Sequence, residues 1–165
     1  MNFCQKCGRT ILMPEGPIGA PILLVGDAPT AYDIKEGQLW TGPGGEILRM
    51  ELRNAGISMK KDCRITNMWL HAKTKQCSEH LDELYAEMKG RKAVLLMGAE
   101  AVSHFTGENV SDVSSLRVDT LPKAQEMLPK GPIVYAIFNP AIALHDKLGE
   151  IRLGMERFGE AINGR

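Results

Sequence analysis

Between Pro21 and Gly26 lies a run of four apolar residues, Ile22-Leu23-Leu24-Val25. It is too short for a helix and rich in branched side chains, so it predicts a buried strand. The strand ends in Gly26-Asp27-Ala28-Pro29, which sets a carboxylate at the carboxyl end of a strand. Open α/β sheets place their ligands there. A polar loop carrying Tyr32, Asp33 and Trp40 is predicted next. Gly42-Pro43-Gly44-Gly45 then opens a helix, with Ile47, Leu48 and Leu52 at helical spacing. Backbone N–H groups at such a glycine-rich start can hold a phosphate.

The same unit recurs along the chain. Residues 63–69, Lys92 to Gly98 and Ile133 to Phe138 predict three more strands. Gly56 is placed to stop the helix after the first strand. Ser78 is a candidate cap for a helix presenting Leu81, Leu84, Tyr85 and Met88 on one face. A short helix over Ala99 to Phe105 follows the third strand. Residues 110–130 predict one weak strand or a short helix. A last amphipathic helix runs from Leu148 to Ile162, using Ile151, Met155, Phe158 and Ile162. Strands alternating with helices predict an α/β fold, a three-layer α/β/α sandwich around a mostly parallel four-stranded sheet. Loops that follow parallel strands share one edge, so Asp27, Asn67 and Asn139 are expected to converge. Residues 1–20, with Pro14, Gly16, Pro17 and Gly19, read as an extended leader over a single domain of residues 1–165.

Charge narrows the partners. Lys+Arg and Asp+Glu are both 20, so any nucleic-acid contact must rest on a local basic patch. No apolar run is long enough to cross a membrane. MNFCQKCGRT has no apolar signal core, so a cytoplasmic location is expected. In a reducing compartment, Cys4-x-x-Cys7 points to a metal, zinc or iron–sulfur, sooner than to a disulfide. Cys63 opens a strand and reads as buried, a reserve ligand at most.

Taken singly, Asp27 reads as a turn aspartate, Asp33 as a solvated loop acid or helix cap, Trp40 as a core tryptophan and Asn67 as a strand-end asparagine. Taken in order they form a pattern. Gly-acid-Ala-Pro is followed by a second acid at Asp33, then Gly37-x-x-Trp40-x-Gly42 and a glycine-led helix. Ile65-Thr66-Asn67 and Asn139-Pro140-Ala141 come after further strands. This set resembles the uracil-DNA glycosylase superfamily, nearest to its family 4, whose members carry an iron–sulfur cluster. The resemblance covers about residues 4 to 160. It implies hydrolysis of the N-glycosidic bond of a flipped uracil, or a related damaged base, in DNA. By resemblance Ala28 lies against the base, Trp40 stacks on it and Asn67 reads its edge. Asp27 stabilises the sugar cation or holds the water, and Asn139 meets the leaving base. The family has glutamate at the position of Asp27. It has histidine at that of Asn139, although its mismatch-specific branch has asparagine there. Those departures motivate the alternative of a weak or inactive DNA-binding relative. The implied metal ligands are Cys4, Cys7, His71 and Cys77, with histidine where family 4 has its third cysteine. The implied centre is structural, a [4Fe–4S] cluster by resemblance or zinc as the alternative. Lys6, Arg9, Lys73 and Lys75 beside it would form the basic patch, and His145 and Lys147 could touch phosphate. The expected partner is DNA, the expected state a monomer. A generic nucleotide-binding reading rests on the glycine turn alone and lacks a Lys-Ser/Thr phosphate loop.

Overall fold

The computed structural model describes residues 2–164, apart from the side chains of residues 143–145. The chain enters through a small antiparallel pair, β1 (Asn2–Phe3) and β2 (Thr10–Ile11). There follow β3 (Ile22–Gly26), α1 (Ala31–Glu36), α2 (Pro43–Asn54), α3 (Met59–Asp62) and β4 (Cys63–Asn67). Next come α4 (Leu81–Met88), β5 (Ala93–Met97), α5 (Ala99–Thr106), α6 (Val110–Val113) and α7 (Pro122–Met127). The chain closes with β6 (Ile133–Ile137), a 3-10 helix (Pro140–His145) and α8 (Leu148–Ile162).

Strands β3 to β6 form one sheet in the order β4-β3-β5-β6, and every neighbouring pair is parallel. Successive side chains of a strand point to opposite faces, so a strand apolar at every position feeds two cores. Ile22 and Leu24 join one core with Leu48 and Leu52 of α2 and Ile151, Met155 and Phe158 of α8. Leu23 and Val25 join the other, with Leu84 and Met88 of α4 and Val102 and Phe105 of α5. The expected three-layer sandwich is therefore present, with a sheet that is wholly parallel.

The strand order reverses at β3. The chain goes from β3 to its neighbour β4, then crosses back to β5 on the other side. The helices after β3 and β5 pack on opposite faces. A crevice opens at the carboxyl ends of such a pair of strands, the switch point where α/β sheets bind ligands.

Several local expectations change. The predicted loop after β3 contains α1. Its start is a capping box in which the Thr30 hydroxyl accepts from the Asp33 N–H and the Asp33 carboxylate accepts from the Thr30 N–H. Ser78 caps nothing, because α4 starts three residues later behind His80. Residues 110–130 hold two short helices, α6 and α7, and touch the sheet through an isolated bridge, Arg117 to Tyr135. Gly56 does lie just past α2, at φ 79°. The leader lies along the outer edge of β4. Glu15 and Ile65 exchange backbone hydrogen bonds of 2.9 and 2.8 Å, and Leu12 donates to the Leu70 carbonyl at 2.7 Å. An edge strand is thereby covered, which removes a row of open backbone groups.

Candidate active site and metal centre

A cavity of about 290 Å³ opens at the switch point, with Asp27, Ala28, Tyr32, Trp40, Gly44 and Asn139 among its lining residues. That is close to the lower limit for small-ligand sites and suits one flat group. A larger hollow of about 760 Å³ lies between α2 and α8, lined by Glu51, Arg152, Glu156 and Asn163 among others. None of the motif residues lines it.

Asp27 leaves β3 with its carboxylate turned toward the start of α5. Oδ1 accepts from the Ala101 N–H at 2.8 Å and Oδ2 from the Glu100 N–H at 3.3 Å. A helix N-terminus has unpaired N–H groups and a positive dipole end, so it holds a carboxylate well. Burial nevertheless raises the Asp27 pKa above the ordinary carboxylate value, partly offset by those two N–H groups. Glu100 is the hub beside it. Its carboxylate accepts from the Trp69 indole at 2.9 Å and pairs with Lys73 at 2.7 Å. Lys73 is thus paired with an acid.

Asp33, expected either as a solvated acid or as a cap, is buried at 4% exposure. One oxygen takes both the N–H and the hydroxyl of Thr41 at 3.0 Å, which folds the α1–α2 connection. Trp40 lies on that connection with φ 57°. This left-handed conformation costs a bulky residue about 1–3 kcal/mol. The surroundings enforce it: Arg49 donates to the Trp40 carbonyl at 3.0 Å. A Cβ on Gly45 would strike the same oxygen, so only glycine fits there. Trp40 is both core residue and cavity wall, being 8% exposed with an indole N–H that has no partner among the described residues.

Asn67 ends β4 in register with Gly26. A Cβ on Gly26 would collide with Asn67 Oδ1 and come within 3.1 Å of Trp40 Cζ2. Asn67 is therefore buried against Gly26 and is not among the residues that line the cavity. Asn139 follows β6. Its Oδ1 accepts from the Ala141 N–H at 2.9 Å, which caps the 3-10 helix. The acceptor end of the amide is thereby fixed, and its NH₂ remains to donate. Gly44 and Gly45 are buried against Ala141 and Trp40, so the glycine turn serves close packing.

The cavity adds Tyr32 and Ala141 to the residues expected from sequence. Tyr32 is 59% exposed at the rim, and a Cβ on Gly42 would lie 2.9 Å from its ring. The predicted loop gave no sign that α1 would present this ring. The side chain of His145 lies outside the described residues. Lys147 stands 4.9 Å from the centre of the Phe138 ring and pairs with Glu150 at 3.4 Å.

The four residues expected to bind a metal do meet in one group. The ligand atoms of Cys4, Cys7, His71 and Cys77 all lie within 4.8 Å of one another. Cys4 and Cys7 come from the β1–β2 turn, closed by Gly8 N–H to Cys4 O at 2.7 Å. The Cys4 thiol is pulled down to about 5, first by the backbone N–H of Cys7 and then by His80. His71 is fully buried, edge-on to the Trp69 and His80 rings. His80 precedes α4 instead of riding on it, and its Nδ1 accepts from the Leu70 N–H at 3.2 Å. Cys63 is no part of this group. It is fully buried in the core, and burial pushes its thiol up to about 12.

A parallel α/β sandwich with a cavity at its switch point and a Cys/His metal group beside it defines a class of ligand-binding α/β domains. The sequence profile of the Uracil DNA glycosylase superfamily matches residues 13–160, and the chain belongs to that superfamily. The chain is also similar to the type-4 uracil-DNA glycosylase of Sulfurisphaera tokodaii. The two are 28% identical over 161 residues, covering 87% of this chain and 72% of that protein.

Proposed function

We propose that this chain hydrolyses the N-glycosidic bond of a uracil flipped out of DNA, leaving an abasic site. The observation that carries the reading is that Asp27, Ala28, Trp40 and Asn139, from three separate loops, surround one cavity. Trp40 is the flat partner for the base, a contact worth about 1–3 kcal/mol. By the resemblance Asn67 reads the base edge, its amide accepting from N3–H and donating to O4 of uracil where cytosine offers the reverse pattern, and this requires Asn67 to move out from its place against Gly26. As the C1′–N1 bond breaks, its electron pair goes to the base and the sugar becomes cationic. The Asn139 NH₂ donates to the charge gathering on the base. The Asp27 carboxylate stabilises the cation and receives a proton from the water that bonds to C1′. The metal group holds the leader against the 70–77 loop, and exposed Lys6, Arg9 and Lys75 supply phosphate contacts there. The 165 residues act as one domain, as a monomer, in the cytoplasm.

Single- and double-stranded oligonucleotides carrying one uracil, treated with alkali after incubation, test this. Cleavage at the uracil is expected, and none at cytosine. No cleavage at high enzyme excess would refute it. One observation favours a second reading, a binding protein with weak catalysis. Both Asp27 oxygens already accept from helix N–H groups, and the side chain is one methylene shorter than the family's glutamate. Tight binding to uracil DNA without turnover is the outcome that selects it.

A further inference from the structure

We infer that Cys4, Cys7, His71 and Cys77 hold one tetrahedral zinc ion and no iron–sulfur cubane. The inference rests on the metal part of the reading above and is independent of the chemistry proposed for DNA.

Spacing is the first argument. Cys4 Sγ lies 3.7 Å from Cys77 Sγ, and Cys7 Sγ lies 3.5 Å from His71 Nε2. Zinc binds thiolate sulfur at about 2.3 Å and imidazole nitrogen at about 2.0 Å, so a tetrahedron sets two sulfurs about 3.8 Å apart and a sulfur and nitrogen about 3.5 Å apart. Both separations match. A cubane carries its protein ligands on four outward corners, with the irons and sulfides between them. Four ligand atoms within 4.8 Å of one another leave no space for that body.

The donors agree with the spacing. Three thiolates and one imidazole are a structural zinc set, whereas four-iron clusters are held by four thiolates. His71 is prepared for the role. Its Nδ1 lies 2.8 Å from the Ala72 carbonyl oxygen. A carbonyl only accepts, so Nδ1 carries the proton and Nε2 keeps its lone pair toward the sulfurs. Ligating histidines are oriented by such an outer hydrogen bond. Four protein donors also fill a tetrahedron, leaving no open position for water. The ion is therefore structural and takes no part in bond cleavage.

Elemental analysis of the full-length protein is expected to give about one zinc per chain, in a colourless preparation. Exchange with Co²⁺ should produce the intense visible bands of a tetrahedral site with three sulfurs and one nitrogen. His71→Cys should keep the ion and shift those bands toward a four-sulfur site. His71→Ala should lower zinc affinity at least about tenfold. If the alanine variant fails to fold, the cobalt spectra of the wild type and the cysteine variant still decide. A brown protein holding about four irons and four sulfides after anaerobic reconstitution would overturn the proposal. So would a natively folded, metal-free protein with Cys4, Cys7 and Cys77 free to react. Uracil excision is assayed on the same preparations: zinc without excision refutes only the DNA reading, and excision with a cubane refutes only this one.

Discussion

Gly26 is the residue on which the shape of the cavity turns. It ends β3 where a Cβ would collide with Asn67 Oδ1 and come within 3.1 Å of Trp40 Cζ2. Gly26→Ala is expected to push both side chains out of place and to cost about 1–3 kcal/mol as overpacking. Excision should fall more than the thermal midpoint alone would suggest. Trp40 poses a different test, because its buried indole N–H is unpaired among the described residues. Leaving such a donor buried costs about 1–3 kcal/mol, and phenylalanine removes the donor while keeping a ring. Trp40→Phe should therefore change stability by about 1 kcal/mol or less, against about 3–5 kcal/mol for Trp40→Ala. Denaturant midpoints of the two variants check the contrast. Asp27 gives a prediction in pH. Its folded pKa is raised by burial above the unfolded value of about 3.9. The folded state then binds that proton more tightly, so this group's share of stability declines as pH rises through the window and recovers below it. The thermal midpoint of the wild type minus that of Asp27→Asn, measured from about pH 4 to pH 7, should follow that sign. If the ionised form is the one that works, the acid limb of excision should lie above the ordinary aspartate range and vanish in Asp27→Asn.

At the level of elements, α5 and the 70–77 loop connect the four candidate metal ligands with Asp27. Asp27 caps α5, Glu100 in the first turn of α5 holds Lys73 and Trp69, and His71 sits between those two residues. Removing the metal frees one end of this chain of contacts. Chelation is expected to open residues 1–12 and 70–80 to limited proteolysis before the sheet unfolds, and re-addition of zinc should restore protection. The leader will not detach entirely, because Glu15 keeps its two backbone bonds to Ile65. Proteolysis of the sheet at the same rate as the leader would contradict this division.

Across the whole molecule, two cores share one sheet and α2 and α8 close one of them. Glu51 of α2 is 2% exposed and accepts from Arg152 of α8 at 3.0 Å. Removing one partner leaves a buried carboxylate without its cation, whereas neutralising the acid leaves a solvent-facing arginine. Arg152→Ala should therefore destabilise by about 1–3 kcal/mol more than Glu51→Gln does. Thermal midpoints of the two variants compare them.

Much of this architecture is legible in the amino-acid sequence. Apolar runs such as Leu23 to Val25 and Leu95 to Met97 can only be buried on both faces, which a parallel sheet between helix layers satisfies. The order of Asp27, Trp40, Asn67 and Asn139 along the chain, with Cys4 and Cys7 ahead of them, carried the superfamily and the candidate site. Side-chain direction was not readable, because it depends on neighbours far away in sequence. Only the folded chain turns Asp27 toward α5, sets Asn67 against Gly26, closes Asp33 into a cap and joins Lys73 to Glu100. The spacing of the four metal ligands is of the same kind. Residue types allow a cluster or a single ion, and the choice falls to how closely the β1–β2 turn packs against the loop after β4.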